Sequence, residues 1–178
     1  MERALIRGGL GDPSDISSLD YTVFGLSPDV FRGIDTAYET PESLNQAAKA
    51  IAGLDSGDTD KLLAVIKYAE PRSASALRAL AENLDLFDFY PGVHSAEEYG
   101  QHMIAESGHF EYDAELNEFY DFDKYGKWRL ENECGTFLDS GYLSYRGFVS
   151  LEEVMAGVSC ERMDMEEAPD QGMTMGGM

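Results

Sequence analysis

Asp121 and Asp123 are the first candidates for chemistry, because two carboxylates at this spacing can begin an EF-hand calcium loop. A loop that starts at Asp121 has aspartate at positions 1 and 3 and glycine at position 6. Its position 5 is Tyr125 and its position 12 is Asn132, where calcium binding needs a bidentate glutamate. Because these two ligands do not fit, we expect no metal here, and the residues suit a helix better than a loop.

The histidines and Cys134 offer little for zinc binding or nucleophilic catalysis. His94, His102 and His109 are separated by eight and seven residues, which is not a zinc-ligand spacing, so we expect surface histidines in an acidic field. Cys134 has acidic neighbours, which disfavour the thiolate that a nucleophile needs, and we predict a small buried side chain. The chain contains neither GxGxxG nor GxxxxGK[ST]. We therefore expect a protein that is not an enzyme and needs no cofactor.

Charge is the unusual feature of the composition. The chain has 178 residues, of which 34 are acidic and 13 are basic, and its formal net charge is -21. A nucleic-acid binder needs Lys and Arg to displace counterions from phosphates, and an anionic membrane would repel this chain. We see no signal-peptide pattern and no apolar run near the ~20 residues that a membrane span needs. We therefore expect a cytoplasmic protein that binds neither nucleic acid nor membranes.

The charge imbalance is concentrated in the middle of the chain. Residues 82–139 hold 15 acids and three bases, a net charge of -12. Apolar residues are interleaved with these acids, whereas disordered acidic tails lack such partners. We therefore predict a folded region in which Phe119, Phe122, Tyr125 and Trp128 lie in the core and the acids face outward. The predicted acidic surface consists of Glu97, Glu98, Glu106, Glu111, Asp113, Glu115, Glu118, Asp121, Asp123, Glu131, Glu133 and Asp139.

Capping residues predict the elements that position this surface. Thr40 should cap a helix that ends at Gly53, Thr59 or Asp60 should begin a second helix, and Ser73 a third.

Further along the chain, Ser95 and Glu98 form a capping box that opens a helix ending near residue 108. Asp121 should cap the helix that carries Trp128, after a short helix around residues 115–120. A second capping box, Ser150 to Glu153, should open the last helix.

The strand signals are shorter than the helical ones. Residues 20–26 and the two halves of a hairpin that turns at residues 139–141 have strand composition, and residues 87–94 should interrupt the helical pattern. We predict an α+β fold, mostly helical, with short strands or a hairpin in each of two small subdomains. These are residues 1–94 and the acidic residues 95–158, followed by a disordered tail at residues 159–178.

Carboxylates on short helices can approximate a row of phosphates. Duplex DNA carries one charge per roughly 1.7 Å of axis, and a helix advances about 1.5 Å per residue. Two paired chains would carry twice -21, or -42, which matches about 20 base pairs of duplex. A DNA-binding channel lined by Lys and Arg would attract such a surface. The alternative is an acidic, well-solvated protein without this role.

Three segments carry a family resemblance: Ser107-Gly108, "ELNEFYDFDKYGK" and "GTFLDSGYLSY". Together they make residues 96–145 similar to the C-terminal domain of the ArdA antirestriction proteins, and residues 20–54 resemble that family's middle domain more loosely. The resemblance implies an elongated, dimeric DNA mimic that occupies the DNA site of type I restriction-modification enzymes. We expect no counterpart of the family's N-terminal domain, and Lys127 stands where the family usually has arginine.

The combined hypothesis is a non-catalytic, DNA-mimicking inhibitor of a host DNA-defence enzyme. Type I restriction-modification is the first-choice target, and a Cas nuclease such as Cas9 is the second. Two other classes stay open: an acidic protein-interaction domain of a mobile-element protein, and an enzyme whose site the sequence does not reveal.

Overall fold

The computed structural model describes residues 29–31, 33–34, 38–108 and 111–158. These residues form six α-helices and three β-strands: α1 Pro41–Ala52, α2 Ser56–Ala69, α3 Ala74–Glu82, β1 Phe87–Pro91, α4 Ala96–Gln101, α5 Phe122–Glu131, β2 Cys134–Leu138, β3 Gly141–Tyr145 and α6 Leu151–Met155. Short 3₁₀ helices span Asp29–Phe31, Leu84–Leu86 and Ala114–Phe119, and α4 continues into a π-helical turn, His102–Glu106. Helices dominate and the strands form one small sheet, which confirms the predicted α+β, mostly helical class. In these ranges no helix is both long and apolar enough to cross a membrane. The predicted strand at residues 20–26 and the predicted tail at residues 159–178 lie outside the described residues.

Most helices begin at the predicted capping residues, because a side-chain oxygen there accepts a bond from a backbone NH that the helix leaves unpaired. Thr40 caps α1, and Ser95 caps α4 by accepting from the Glu98 backbone NH at 3.2 Å. The Glu98 carboxylate accepts a hydrogen bond from the backbone NH of His94, whereas a full capping box requires the backbone NH of Ser95. The full reciprocal box is present at Ser150–Glu153, as predicted.

The predicted start of the second helix is wrong by about one turn. It was placed at Thr59 or Asp60, whereas α2 begins at Ser56. Asp55 is the cap, and its carboxylate accepts from the Asp58 backbone NH at 2.8 Å. A helix begins after the first suitable capping residue that precedes its apolar face. The glycine that follows Ser56 does not prevent the helix from starting there, because the first turn is exposed.

Residues 87–94 interrupt the helical pattern as predicted, and they include a strand that the sequence did not reveal. β1 pairs antiparallel with β3, and β3 pairs antiparallel with β2, so the strand order is β1-β3-β2. Phe87 lies opposite Tyr145 and Tyr90 lies opposite Tyr142. The β2–β3 pair is the predicted hairpin. Pro91 is tolerated because it occupies the last position of β1, at the edge of the sheet.

The sheet has two apolar faces, because successive side chains of a strand point to opposite sides. On one face Phe87 and Leu143 join the larger core, which α1, α2, α3 and α6 complete. On the other face Tyr142 joins Tyr99 of α4 in a smaller core with Met103. The sheet and the larger core draw residues from both sides of the predicted boundary at residue 94.

Candidate acidic binding surface

Two glycines fix the closest approach between helices in the acidic region. A Cβ atom at Gly100 of α4 would overlap the carbonyl oxygen of Phe122, and a Cβ atom at Gly126 of α5 would overlap that of Ala96. Both glycines are buried, and the backbones of α4 and α5 meet at this crossing. Because backbone atoms cannot rotate away from a clash as a side chain can, the crossing leaves α5 little freedom relative to α4. The acids on these helices are therefore held on a rigid support.

The 3₁₀ helix at residues 114–119 is held through one of its three faces. A 3₁₀ helix has three residues per turn, so residues three apart in sequence lie above one another. The Tyr112 hydroxyl donates to the Asn117 side-chain oxygen at 2.7 Å, and the Tyr112 and Tyr120 rings lie 5.4 Å apart. Tyr120 in turn stacks on Phe122 at the start of α5, with ring centroids 5.7 Å apart. This contact face joins the helix to the start of α5, although every residue of the helix, Asn117 included, stays exposed.

Ten of the twelve predicted acids are exposed: Glu97, Glu98, Glu106, Glu111, Asp113, Glu115, Glu118, Asp121, Glu131 and Asp139. They lie on α4, its π-helical turn, the segment before the 3₁₀ helix, the 3₁₀ helix itself, both ends of α5 and the hairpin turn. Two of them also cap helices, since Asp113 accepts from the Glu115 backbone NH and Asp121 accepts from that of Lys124. Asp123 is half-buried beside Lys127, whose ammonium lies 2.5 Å from its carboxylate.

Glu133 does not belong to the acidic surface, which corrects the prediction. Only 4% of its side chain is exposed, because it turns inward beneath the sheet. Its carboxylate lies 2.6 Å from the Arg129 guanidinium and 3.7 Å from that of Arg146, and the Tyr99 hydroxyl donates to it at 2.7 Å. Arg146 also meets Asp88 of β1 at 2.5 Å. Glu133 is thus the centre of an internal ion cluster that joins α5, α4 and the sheet.

Tyrosine rings enclose this ion cluster and stay uncharged. Burial raises the pKa of Tyr99 far above its ordinary value, and the nearby negative charge of Glu133 adds to the effect. Burial likewise raises the pKa of Tyr142, with the same carboxylate contributing. The Tyr99 and Tyr142 rings lie 4.7 Å apart. At neutral pH both phenols are therefore neutral packing groups, and the Tyr99 hydroxyl also donates a hydrogen bond to Glu133.

Positive charge near the acidic surface is scarce or turned inward. Residues 79–123 contain twelve acids and no Lys or Arg. The side chains of Arg129 and Arg146 are each 15% exposed, and both face the internal ion cluster. Lys124 and Lys127 of α5 are exposed, and Lys127 is paired with Asp123. Local neutralisation is therefore confined to α5, whereas the exposed carboxylates from Glu97 to Glu118 have no Lys or Arg beside them in the sequence.

Four side chains in or beside the acidic surface are exposed, and three of them were expected to be buried. Phe119 is 76% exposed and Trp128 is 53% exposed, so the prediction that these two lie in the core is wrong. Leu116 is 47% exposed. Cys134 is an exposed free thiol rather than a small buried side chain. Phe122 and Tyr125 are partly buried, which agrees with the prediction in direction.

The aspartate and histidines that were weighed as metal ligands in the sequence do not form a metal site among the described residues. Asp121 is committed to the cap of α5, and the residues after it are helical, so they do not form a calcium loop. His102 lies 2.9 Å from the Glu106 carboxylate, and its ring packs on Tyr90. His94 is exposed, and His109 lies outside the described residues. Across the described ranges no group of three or more His, Cys, Asp and Glu residues is arranged to hold a metal ion.

A shallow cleft lies at the beginnings of α1 and α3. It has a volume of about 450 Å³, and residues between positions 38 and 75 line it. Its carboxylate, Glu39, accepts from the Ala74 backbone NH at 2.7 Å and from the Ser43 hydroxyl at 2.6 Å. The carboxylate is therefore used to join the beginnings of α1 and α3, and it is poorly placed to act as a general base.

Comparison with known proteins returned no match, either to a protein-family model or to a curated protein. The acidic surface must therefore be interpreted from its own geometry. Sequence reasoning missed the internal ion cluster, although one signal was present: Arg129 and Glu133 are four residues apart, a spacing that favours an ion pair.

Proposed function

We propose that this protein is a non-catalytic inhibitor that occupies the DNA-binding channel of a host DNA-defence enzyme. The observation that supports this most directly is the run of exposed acids between residues 97 and 121, where Lys and Arg are absent. The inhibitor would act by presenting fixed negative charge to a basic channel, so that no catalytic group is needed.

The spacing of the acids suits such a channel. Glu115 and Glu118 are three residues apart on the 3₁₀ helix, which places them on one face about 6 Å apart along the axis. One strand of duplex DNA carries a charge per ~3.4 Å of axis. The row formed by Glu115 and Glu118 therefore has a linear charge density of the same order as a phosphate backbone. Lys and Arg that bind phosphates would meet carboxylates here and release counterions in the same way.

The target of first choice is a type I restriction-modification enzyme. The resemblance of residues 96–145 to the ArdA C-terminal domain supports this choice, and it also supports a homodimer. The exposed acids fit other basic DNA channels as well, so the same assays should include an RNA-guided nuclease.

The test uses a purified type I restriction-modification enzyme and two variants with the same net charge. The acid triple variant carries Glu111→Gln, Glu115→Gln and Glu118→Gln, three exposed acids that do not cap helices. Each exposed ion pair contributes up to about 1 kcal/mol, so this variant should bind the enzyme about tenfold more weakly or worse.

The control triple variant carries Glu42→Gln, Asp60→Asn and Glu152→Gln, which are exposed acids outside residues 82–139. It should bind within about twofold of wild type, because its charges lie away from the proposed surface. Wild-type binding should also weaken steeply with salt and compete with duplex DNA. Equal losses in the two triple variants, or binding that duplex DNA does not displace, would refute the proposal.

A further inference from the structure

The 3₁₀ helix at residues 114–119 is exposed along its whole length, and no residue in it is buried. Short amphipathic helices usually cover a core with their apolar side. Here the apolar side chains Leu116 and Phe119 are instead 47% and 76% exposed. Among the residues that the structure describes, nothing covers this Phe and Leu pair.

The two side chains form one stripe. They are three residues apart, so in a 3₁₀ helix they lie above one another. The face that holds the helix to the protein contains Asn117 and ends at Tyr120, and both contact Tyr112. The third face carries Glu115 and Glu118. An exposed apolar stripe thus runs parallel to an exposed acidic stripe, and the contact face fixes both.

Charge decides between the possible occupants of this surface. A second copy of the chain would bring the same acidic stripe against this one if the two copies met through equivalent faces. A partner with an acidic or neutral surface would leave Glu115 and Glu118 without opposite charges. A partner that places Lys or Arg beside an apolar side chain would satisfy both stripes at once.

We infer that Leu116 and Phe119 form an apolar anchor for a basic protein surface in which Lys or Arg side chains flank an apolar pocket. This inference rests on the proposed function and deepens it. DNA has no counterpart to the anchor, so the protein would hold its target by a contact that salt does not screen. The aliphatic stem of an arginine and its planar guanidinium, which stacks on aromatic rings, suit Phe119 in particular.

The test measures affinity for two synthetic peptides of equal length and charge. One alternates arginine with leucine, and the other alternates arginine with serine. Wild type should prefer the arginine–leucine peptide by about tenfold, because only that peptide can cover the apolar stripe. The double variant Leu116→Ser/Phe119→Ser should bind the two peptides within about twofold of each other.

Phe148→Ser supplies the matched control, because Phe148 is 65% exposed and lies outside residues 82–139. It should keep the full preference for the arginine–leucine peptide. All three proteins should unfold at nearly the same temperature, since the substituted side chains are exposed. A wild type without preference between the peptides, or an equal loss of preference in Phe148→Ser, would overturn the inference.

Two further measurements separate the inference from the proposed function and from self-association. Against the restriction-modification enzyme, the double variant should bind about tenfold more weakly while the dependence of affinity on salt keeps its slope. If wild type does not bind the enzyme, the proposed function fails and the peptide comparison still decides the inference. If light scattering shows a wild-type dimer that the double variant converts to a monomer, a second copy covers the stripe and the inference is wrong.

Discussion

Replacing Gly126 with alanine tests whether α4 and α5 cross as closely as the structure shows. The new methyl group would overlap the Ala96 carbonyl oxygen, so the two helices must separate. Overpacking of this kind costs about 1–3 kcal/mol and more when backbone must move. Alanine regains up to about 1 kcal/mol as the better helix former. We expect a net loss of about 2 kcal/mol, which lowers Tm by about 4–8 °C in a chain of this size.

Urea unfolding followed by circular dichroism gives the free energy of unfolding, and Trp128, the only tryptophan, reports on α5 by fluorescence. Gly57→Ala in the first turn of α2 is the control. The nearest atom to its new methyl group would be the Asp55 carboxylate oxygen at 3.5 Å, an ordinary contact, so this variant should be as stable as wild type or more stable.

The matching change at Gly100 sharpens the test, because it would overlap the Phe122 carbonyl oxygen at the same crossing. One separation of the helices relieves both overlaps. The double variant with Gly126→Ala should therefore lose less stability than the sum of the two single changes. A Gly126→Ala protein as stable as wild type would show that the helices do not meet here and that the acidic surface lacks this support.

Three other substitutions probe the internal ion cluster, the cap of α5 and the buried phenols. Glu133→Gln leaves two enclosed guanidinium groups short of negative charge and should cost about 3 kcal/mol in urea unfolding, whereas Glu131→Gln at an exposed position should stay within about 0.5 kcal/mol. Asp121→Ala removes the α5 cap and should cost about 1 kcal/mol by the same measurement. Above pH 10 the tyrosines of the unfolded chain ionise while Tyr99 and Tyr142 keep their protons, because their pKa values are raised in the fold. The free energy of unfolding is thus retained below pH 10 and falls above it by about 1.4 kcal/mol per pH unit for each such tyrosine. Tyr99→Phe removes one of these tyrosines, so it should reduce the slope by about 1.4 kcal/mol per pH unit.

Local signals in the sequence were sufficient where one side chain decides the outcome. Thr40, Ser95 and Asp121 were predicted as caps, and each accepts the expected backbone bond. The β2–β3 hairpin was also predicted, because its turn lies between two short strand-like segments. These features depend on contacts within three or four residues, so composition and spacing are enough to find them.

Features that depend on distant partners were missed. The sequence of β1 shows only an interruption of the helical pattern, because the hydrogen bonds that make it a strand come from β3, about 50 residues away. Glu133 reads as one more surface acid, because Tyr99 and Arg146 reach it only after the sheet has formed. Phe119 follows the apolar spacing of α5 but precedes that helix, so the periodicity did not place it. For β1 and Glu133, tertiary contacts override the local pattern.

The arrangement of charge places stability and the proposed binding in opposition. Arg129 and Arg146 face inward, and residues 79–123 contain no Lys or Arg, so the exposed acids of that stretch repel one another with few cations nearby. Removing three of these charges in the acid triple variant should therefore stabilise the fold while it weakens binding to a basic target. Like-charge neighbours on a helix cost a few tenths of a kcal/mol each, so we expect a gain of about 0.5 kcal/mol, or 1–2 °C in Tm, at low salt. The gain should shrink as salt screens the repulsion. A protein whose acids serve only solubility would show the same gain in stability with no loss of binding, and thermal unfolding measured beside the binding assay distinguishes the two cases.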